Sequence, residues 1–216
     1  MRTGRRRVEL LGRRRVHNGF FALDVLELRH ERFDGSMTPV LDRELFVTRH
    51  AVSILPYDPH LDRILLVEQF RTGLVDEPGD PWTLEAPAGM LKPAEDPLEA
   101  ARRELVEETG LVPRHVEKVL QFWPTPGAVS ELQTMFVADV DLSDVGGIRG
   151  LAHENEDILT HVMSFTDALS GLERGPIRGA SAVIGILWLQ GRREALRRSW
   201  CECTIQTELE TPRASA

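Results

Sequence analysis

From Phe20 onward the apolar positions fall into short runs separated by turn residues, a pattern that reads as strands before it reads as helices. Phe21, Leu23, Val25 and Leu28 lie in the first extended run, which Asp34-Gly35 breaks. Two runs follow, Glu44–Leu55 and Asp62–Phe70, both dense in β-branched and aliphatic residues. Tyr57-Asp-Pro-His between them reads as a hairpin turn. A loop with Pro78, Gly79 and Pro81 precedes a short strand around Trp82–Ala86. Further strands are expected at Val116–Pro124, Leu132–Leu142 and Ile158–Phe165. The clearest helix begins at Asp96, with Pro97 at the first helical position and Glu99 completing a capping-box-like pair. Leu98, Ala101, Leu105 and Val106 supply its apolar stripe, and Gly110 ends it in a left-handed conformation. Two more helices are expected at about Thr166–Glu173 and Ala180–Arg198. Strands first, then a helix among strands, then helices, makes the chain α/β in the broad sense (α+β), without regular βαβ alternation.

The 216 residues fit one domain with a small appendage, and 42% hydrophobic residues are enough to fill a core. Lys and Arg number 26 against 34 Asp and Glu, a net charge of −8, which argues against sequence-independent nucleic acid binding. A phosphorylated substrate is compatible only if cations or a local basic pocket offset the repulsion. The Arg-rich start (Met1-Arg-Thr-Gly-Arg-Arg-Arg) reads as a flexible solvated arm, and Val8-Glu-Leu-Leu-Gly after it is too short for the apolar part of a signal peptide. Thr211-Pro-Arg-Ala-Ser-Ala reads as a frayed tail. Cys201 and Cys203, two apart, are poorly placed for a mutual disulfide and read as thiols in a reducing compartment. No stretch approaches the roughly 20 apolar residues of a membrane span, so a cytoplasmic protein without membrane or nucleic acid partners is expected.

Arg103-Glu-Leu-Val-Glu-Glu-Thr-Gly carries the chemistry. Glu104 and Glu108, four apart, share one helix face, and Glu107 borders it. Three like charges this close repel, a penalty that hard divalent cations with oxygen ligands would remove. Arg103, four before Glu107, can orient it. On charge pattern alone a solvated helix face is the simpler reading; the residues upstream change that. The run is Gly89, five residues, Glu95, seven residues, Arg103-Glu104-Leu105, one residue, Glu107-Glu108, one residue, Gly110-Leu111.

This run resembles the Nudix box at every fixed position. The resemblance implies a loop–helix–loop in an α/β/α sandwich with a mixed sheet. It implies that Glu104 and Glu108 are the main metal ligands, that Glu107 is an additional ligand or a metal-shell residue, and that Arg103 is an orienting partner. Ala88 would offer its carbonyl to a metal, and Mg²⁺, with Mn²⁺ as a substitute, would be the cofactor. A nucleoside diphosphate linked to some group X would be hydrolysed at the diphosphate.

Several other segments resemble the ADP-ribose pyrophosphatase branch of that family: Val67-Glu-Gln-Phe-Arg, Glu85-Ala-Pro-Ala-Gly-Met, Thr125-Pro-Gly-Ala-Val-Ser-Glu and Gly150-Leu-Ala-His-Glu-Asn-Glu-Asp. The resemblance covers roughly Gly19 to Leu196, and Pro126, 16 residues after Gly110, stands where ADP-ribose enzymes carry a marker proline. It implies that Arg71 contacts the diphosphate. Thr125, Pro126, Gly127 and Glu131 would hold the terminal ribose and its surroundings. Phe20 and Phe21 would serve the adenine site, with Arg43, Glu44 and Met90 as further substrate contacts. Gly146, Gly147 and Gly150 suit a mobile loop ahead of His153-Glu-Asn-Glu-Asp. In that loop the resemblance makes Glu154 the general base and Glu156 a further metal ligand. His153 stands where the family pattern has an acidic residue, which bears on how loop closure responds to pH.

The expected reaction is therefore Mg²⁺-dependent hydrolysis of ADP-ribose to AMP and ribose 5-phosphate. The family's typical homodimer would make residues 1–48 a small β region for dimerisation or domain swapping, 49–205 the catalytic domain, and 206–216 a flexible tail. The alternatives are a Nudix hydrolase of another nucleotide sugar, such as GDP-mannose, or of oxidised nucleotides. A non-catalytic ADP-ribose-sensing module would require a DNA-binding element, and none is evident. A scaffolding role would leave the clustered carboxylates unexplained.

Overall fold

The computed structural model describes residues 4–151, 153, 155–175 and 177–210, with side chains through 201 apart from that of residue 174. The chain divides into two compact units, Met1–His50 with Phe122–Leu132, and Ala51–Gln121 with Gln133–Ala216.

The first unit is a three-stranded antiparallel sheet in chain order, β1 (Val8–Asn18), β2 (Ala22–His30) and β3 (Leu41–Val47). The described residues of the expected basic arm, 4–7, lie outside any strand, and β1 begins directly after them with Arg13, Arg14 and Arg15 inside it. The reason is tertiary. Val8, Leu10 and Leu11 are more than half exposed, so β1 owes its conformation to its ladder with β2 rather than to a buried face. The extended run expected from Glu44 to Leu55 is broken at residues 48–50, and its halves join different sheets as β3 and β4 (Ala51–Asp58). Residues 128–130 run beside β3: Phe46 N donates to Ala128 O at 2.8 Å and Ser130 N to Phe46 O at 3.0 Å.

The second unit is built on an eight-stranded mixed sheet. Its strands are β4, β5 (Arg63–Phe70), β6 (Trp82–Glu85), β7 (Ala88–Met90), β8 (His115–Phe122), β9 (Gln133–Asp139), β10 (Gly147–Arg149) and β11 (Ile158–Ser164). The main path runs β10-β11-β5-β4-β9-β8, with β6 beside β5 and β7 beside β4. β4 pairs in parallel with β9, and every residue of both strands is buried, as expected for central strands. β10 forms where the Gly-rich stretch suggested only a loop.

Alternation along β4 explains the layers. Val52 and Ile54 join Leu65, Val67, Phe136 and Ala138 against Ala100, Ala101 and Leu105 of α1 (Pro97–Thr109). Leu55 faces the other way, toward Gly185 of α3 (Ala180–Glu210). α2 (Phe165–Arg174) packs with α3 and against β5 and β11. The expected α/β/α sandwich is therefore present. Each fully buried aliphatic side chain contributes about 1.5–3 kcal/mol to it. Val106, assigned to the apolar stripe of α1, is 45% exposed; Leu98, Ala101 and Leu105 of the stripe pack inward, on the same side as Ala100, Glu104 and Glu108. α3 continues to Glu210, past the expected end at Arg198 and into the segment read as a tail. No helix among the described residues is long and apolar enough to cross a membrane.

Candidate active site

α1 starts and stops where local chemistry requires. Asp96 accepts hydrogen bonds from Leu98 N at 2.8 Å and Glu99 N at 3.3 Å, and Pro97 occupies the first turn. Gly110 (φ 75°) closes the helix by donating its N–H to Val106 O at 2.8 Å. Between these caps the helix turns Glu104 and Glu108 inward: they are 8% and 2% exposed. The carboxylates are thus part of the buried side of α1 and not of a solvated face.

Arg103 is the hub of the network around them. Its Nε and Nη2 donate to Glu95 at 2.9 and 3.1 Å, and its Nη1 donates to Glu104 Oε1 at 2.7 Å and Glu107 Oε2 at 2.9 Å. Arg103 thus ties Glu95, Glu104 and Glu107 into one hydrogen-bonded network. Its hydrogen bonds to Glu95 hold that carboxyl down at about 2, assisted by the Lys92 N–H. The same bonds raise Arg103 itself, so it remains a cation throughout the working range.

Glu104 and Glu108 are pushed the other way. Burial raises Glu104 against the pull of Arg103. Burial raises Glu108 well above the ordinary carboxylate value, and the nearby charges of Glu104 and Glu156 raise it further; Arg71 and the Ala88 N–H pull against this. Glu108 Oε2 is buried with no hydrogen-bond partner among the described residues. A buried carboxylate left in this state is costly unless something cationic compensates it.

β7 lies against this helix face. Its Ala88–Gly89–Met90 run pairs with Ser53–Val52–Ala51 of β4. Gly89 has a specific reason to be glycine: a Cβ there would collide with the Glu104 carboxylate, including Oε2 at 2.6 Å. Met90 ends the strand half-buried opposite Ala51.

Arg71 follows β5 and is held by Glu85 of β6, Nη2 to Oε2 at 2.6 Å and Nε to both oxygens at 3.1 Å. Burial lowers the Arg71 pKa, but Glu85, Glu108 and Glu156 more than offset this and the net direction is up. Glu156 accepts from Leu151 N at 3.2 Å. Gly150 (φ 99°) permits the approach, since a Cβ there would meet Glu156 Cβ and O at 2.8 Å. The second unit thus brings Ala88, Met90, Glu104, Glu107, Glu108, Glu156, Arg71 and Arg103 into one neighbourhood. Among the described residues no three His, Cys, Asp or Glu side chains are gathered as a formed metal site. Glu154 lies outside the described residues. His153 is described and exposed.

The remaining candidates lie in the first unit. Phe20 and Phe21 pack edge-on at 4.7 Å between ring centroids, and Phe21 meets Phe46 at 4.8 Å. Phe20 is 81% exposed, which suits a stacking platform rather than a core position. Thr125 accepts backbone hydrogen bonds from Ala128 and Val129, closing the turn that contains Pro126 and Gly127. Glu131 is half-buried, and burial raises its pKa against the pull of His50. Arg43 pairs with Leu26 and Glu44 with Val25, so strand alternation sends the two side chains to opposite faces.

Two residues here were absent from the candidates. Glu95 is a fixed position of the box, and its spacing to Arg103 could have identified it as a partner. Glu85 lies in the Glu85-Ala-Pro-Ala-Gly-Met run, but its pairing with Arg71 depends on β5 and β6 being neighbours, which sequence does not give.

A NUDIX domain family model matches residues 47–180. The chain is 41% identical over 197 residues to an ADP-ribose pyrophosphatase of Escherichia coli strain K12, covering 91% of this chain and 94% of that protein. It is 38% identical to an ADP-ribose pyrophosphatase of Haemophilus influenzae over 89% of this chain and 90% of that one. It is 30% identical to a GDP-mannose pyrophosphatase of Cronobacter sakazakii over 86% and 96%. A crystal structure of an ADP compounds hydrolase superposes with a TM-score of 0.65 at 22% identity, over 86% of this chain and 95% of that one, and shares the fold. The sandwich, the capped carboxylate helix and these similarities together place the chain in the Nudix hydrolase family.

Proposed function

We infer that the protein hydrolyses the diphosphate bond of ADP-ribose, yielding AMP and ribose 5-phosphate. One observation carries the reaction type: the buried Glu108 carboxylate beside Glu104, whose Oε2 has no hydrogen-bond partner among the described residues, an arrangement that a bound cation would stabilise. The substrate follows from the similarity, 41% over most of the chain, to proteins named ADP-ribose pyrophosphatase.

The donor set fits a hard divalent cation such as Mg²⁺ or Mn²⁺: carboxylates of Glu104, Glu108 and Glu156 and the carbonyl of Ala88, all oxygen. When bound, such a cation neutralises diphosphate charge and lowers the pKa of water. The protein's own groups supply the rest. Arg71, braced by Glu85, takes diphosphate oxygens. Arg103 keeps Glu104 and Glu107 in place. Glu154 is assigned as the general base that takes a proton from the attacking water. The hydroxyl adds to one phosphorus, the bridging P–O bond breaks, and the second phosphate leaves as a monoester.

In the first unit Phe20 and Phe21 are assigned to the adenine, and Thr125, Pro126, Gly127 and Glu131 to the ribose end. Arg43, Glu44 and Met90 complete the substrate contacts. The exposed apolar residues of the first unit, Val8, Leu10, Leu11 and Phe33 among them, support a homodimer. A cytoplasmic location belongs to the same reading, supported by the free thiol of Cys201.

A second reading, GDP-mannose hydrolysis, is favoured by the 30% identity to the Cronobacter sakazakii protein. A Mg²⁺-supplemented panel of ADP-ribose, GDP-mannose and oxidised nucleotides, with product identification, decides between them. The expected result is the highest kcat/KM on ADP-ribose with AMP and ribose 5-phosphate as products. A higher value on GDP-mannose overturns the substrate assignment. Near-normal turnover by Glu108→Gln overturns the site.

A further inference from the structure

On one face of the first unit, two arginines of β1 converge on a single carboxylate. Asp24 of β2 is 1% exposed. Arg15 donates to it through Nε at 2.6 Å and Nη2 at 3.2 Å, and Arg13 through Nε at 2.5 Å. Arg15 Nη1 also donates to Asn18 Oδ1 at 3.1 Å. These four residues line a concavity of about 420 Å³.

The direction of these bonds decides what the concavity can take. Both oxygens of Asp24 are spent on the arginines, and the Asn18 oxygen is spent on Arg15. What remains is donors only: unspent guanidinium N–H groups on two half-exposed arginines, and the Asn18 amide N–H₂. Two guanidiniums against one carboxylate leave a local positive charge on a chain of net charge −8. Diffuse attraction therefore does not favour anions, and an anion held here is held by local donors. Asp24 braces both forks, so little side-chain freedom is lost when they bind. A tetrahedral group with several terminal oxygens offers more acceptor sites than a carboxylate and can accept from both forks and the amide at once. Arg14, one residue along β1, pairs with Val25 and projects from the opposite face.

We propose that Arg13, Arg15 and Asn18, braced by Asp24, form a binding site for a phosphate group, taking inorganic phosphate or the phosphate of a small monoester. The site is independent of the diphosphate hydrolysis proposed above and is tested without turnover.

The test is calorimetric titration of the full chain with inorganic phosphate, in EDTA and a phosphate-free buffer, alongside AMP and adenosine. Wild type should bind phosphate saturably at one site, AMP should compete and adenosine should not. The triple variant Arg13→Gln/Arg15→Gln/Asp24→Asn, which removes the buried carboxylate together with its partners, should bind at least about tenfold more weakly. Asn18→Asp keeps an acceptor for Arg15, is solvent-exposed and is expected to fold; it sets a negative charge against the ligand and should weaken binding by a similar factor. It carries the test if circular dichroism shows the triple variant unfolded. Arg14→Gln, which removes the same charge from the other face, should stay within about twofold of wild type. Absence of saturable binding up to about 20 mM overturns the proposal. So does wild-type affinity in Asn18→Asp, an equal loss in Arg14→Gln, or equal competition by adenosine.

Discussion

Replacing Gly89 by alanine should separate folding from catalysis. The added Cβ would sit on the Glu104 carboxylate, 2.6 Å from Oε2 and nearer still to the other oxygen and the carboxyl carbon. Ordinary contact begins near 3.4 Å, so one side must give by about 1 Å or more, a displacement that costs on the order of 100-fold when it falls on a catalytic group. The β7 backbone is fixed by its pairing with β4. The carboxylate is the free end of a side chain, so it is the part that moves, and moving it breaks the 2.7 Å bond from Arg103. The fold should therefore survive at an overpacking cost of about 1–3 kcal/mol. The kcat on ADP-ribose with Mg²⁺ should fall about 100-fold, or about 2.7 kcal/mol of barrier. Steady-state kinetics and a thermal melt on the same preparation read the two effects separately. A kcat within about threefold of wild type would refute the placement of Glu104 in the reaction.

Three other outcomes are expected. Glu108→Gln should lose activity and yet stabilise the metal-free protein. The raised Glu108 carboxyl contributes stability that is present below its unfolded value of 4.5 and lost as pH rises through the folded value. The variant's melting-temperature advantage in EDTA should therefore grow as pH rises above 4.5, and an advantage that does not change with pH contradicts the burial argument. Arg103→Ala should lower kcat at least about tenfold by releasing Glu104 and Glu107. It should also raise the acid-denaturation midpoint. The depressed Glu95 contributes stability present above 4.5 and lost as pH falls through about 2; without Arg103 the main cause of that depression is gone and little of this contribution remains in the variant; an unchanged midpoint speaks against the Glu95 pairing. Glu85→Gln should loosen Arg71 and raise KM for ADP-ribose about three- to tenfold with a smaller change in kcat. A KM unchanged in that variant would mean Arg71 does not need its brace.

The sequence by itself determined the carboxylate helix, because everything that defines α1 is local. Asp96, Pro97 and Gly110 set its ends through bonds spanning at most four residues, and a spacing of four places Glu104 and Glu108 on one face. The reaction class followed from the same 23-residue segment. Which face that was, buried or solvated, was not local: only the packing of α1 on β4, β5 and β9 made it the buried one. Two strands were likewise hidden. β7 has three residues and no alternation to read, and β1 carries three consecutive arginines; both exist because a neighbouring strand supplies their hydrogen bonds. The break at residues 48–50, which sends β3 and β4 to different sheets, falls on Thr48-Arg49-His50, a polar interruption without a Gly or Pro to mark it as a turn. Tertiary structure alone decided the partners of the arginines. Arg71 meets Glu85 and Arg15 meets Asp24 because pairing of neighbouring strands sets their register, and an ion pair forms only where the fold brings its two charges within a few ångströms.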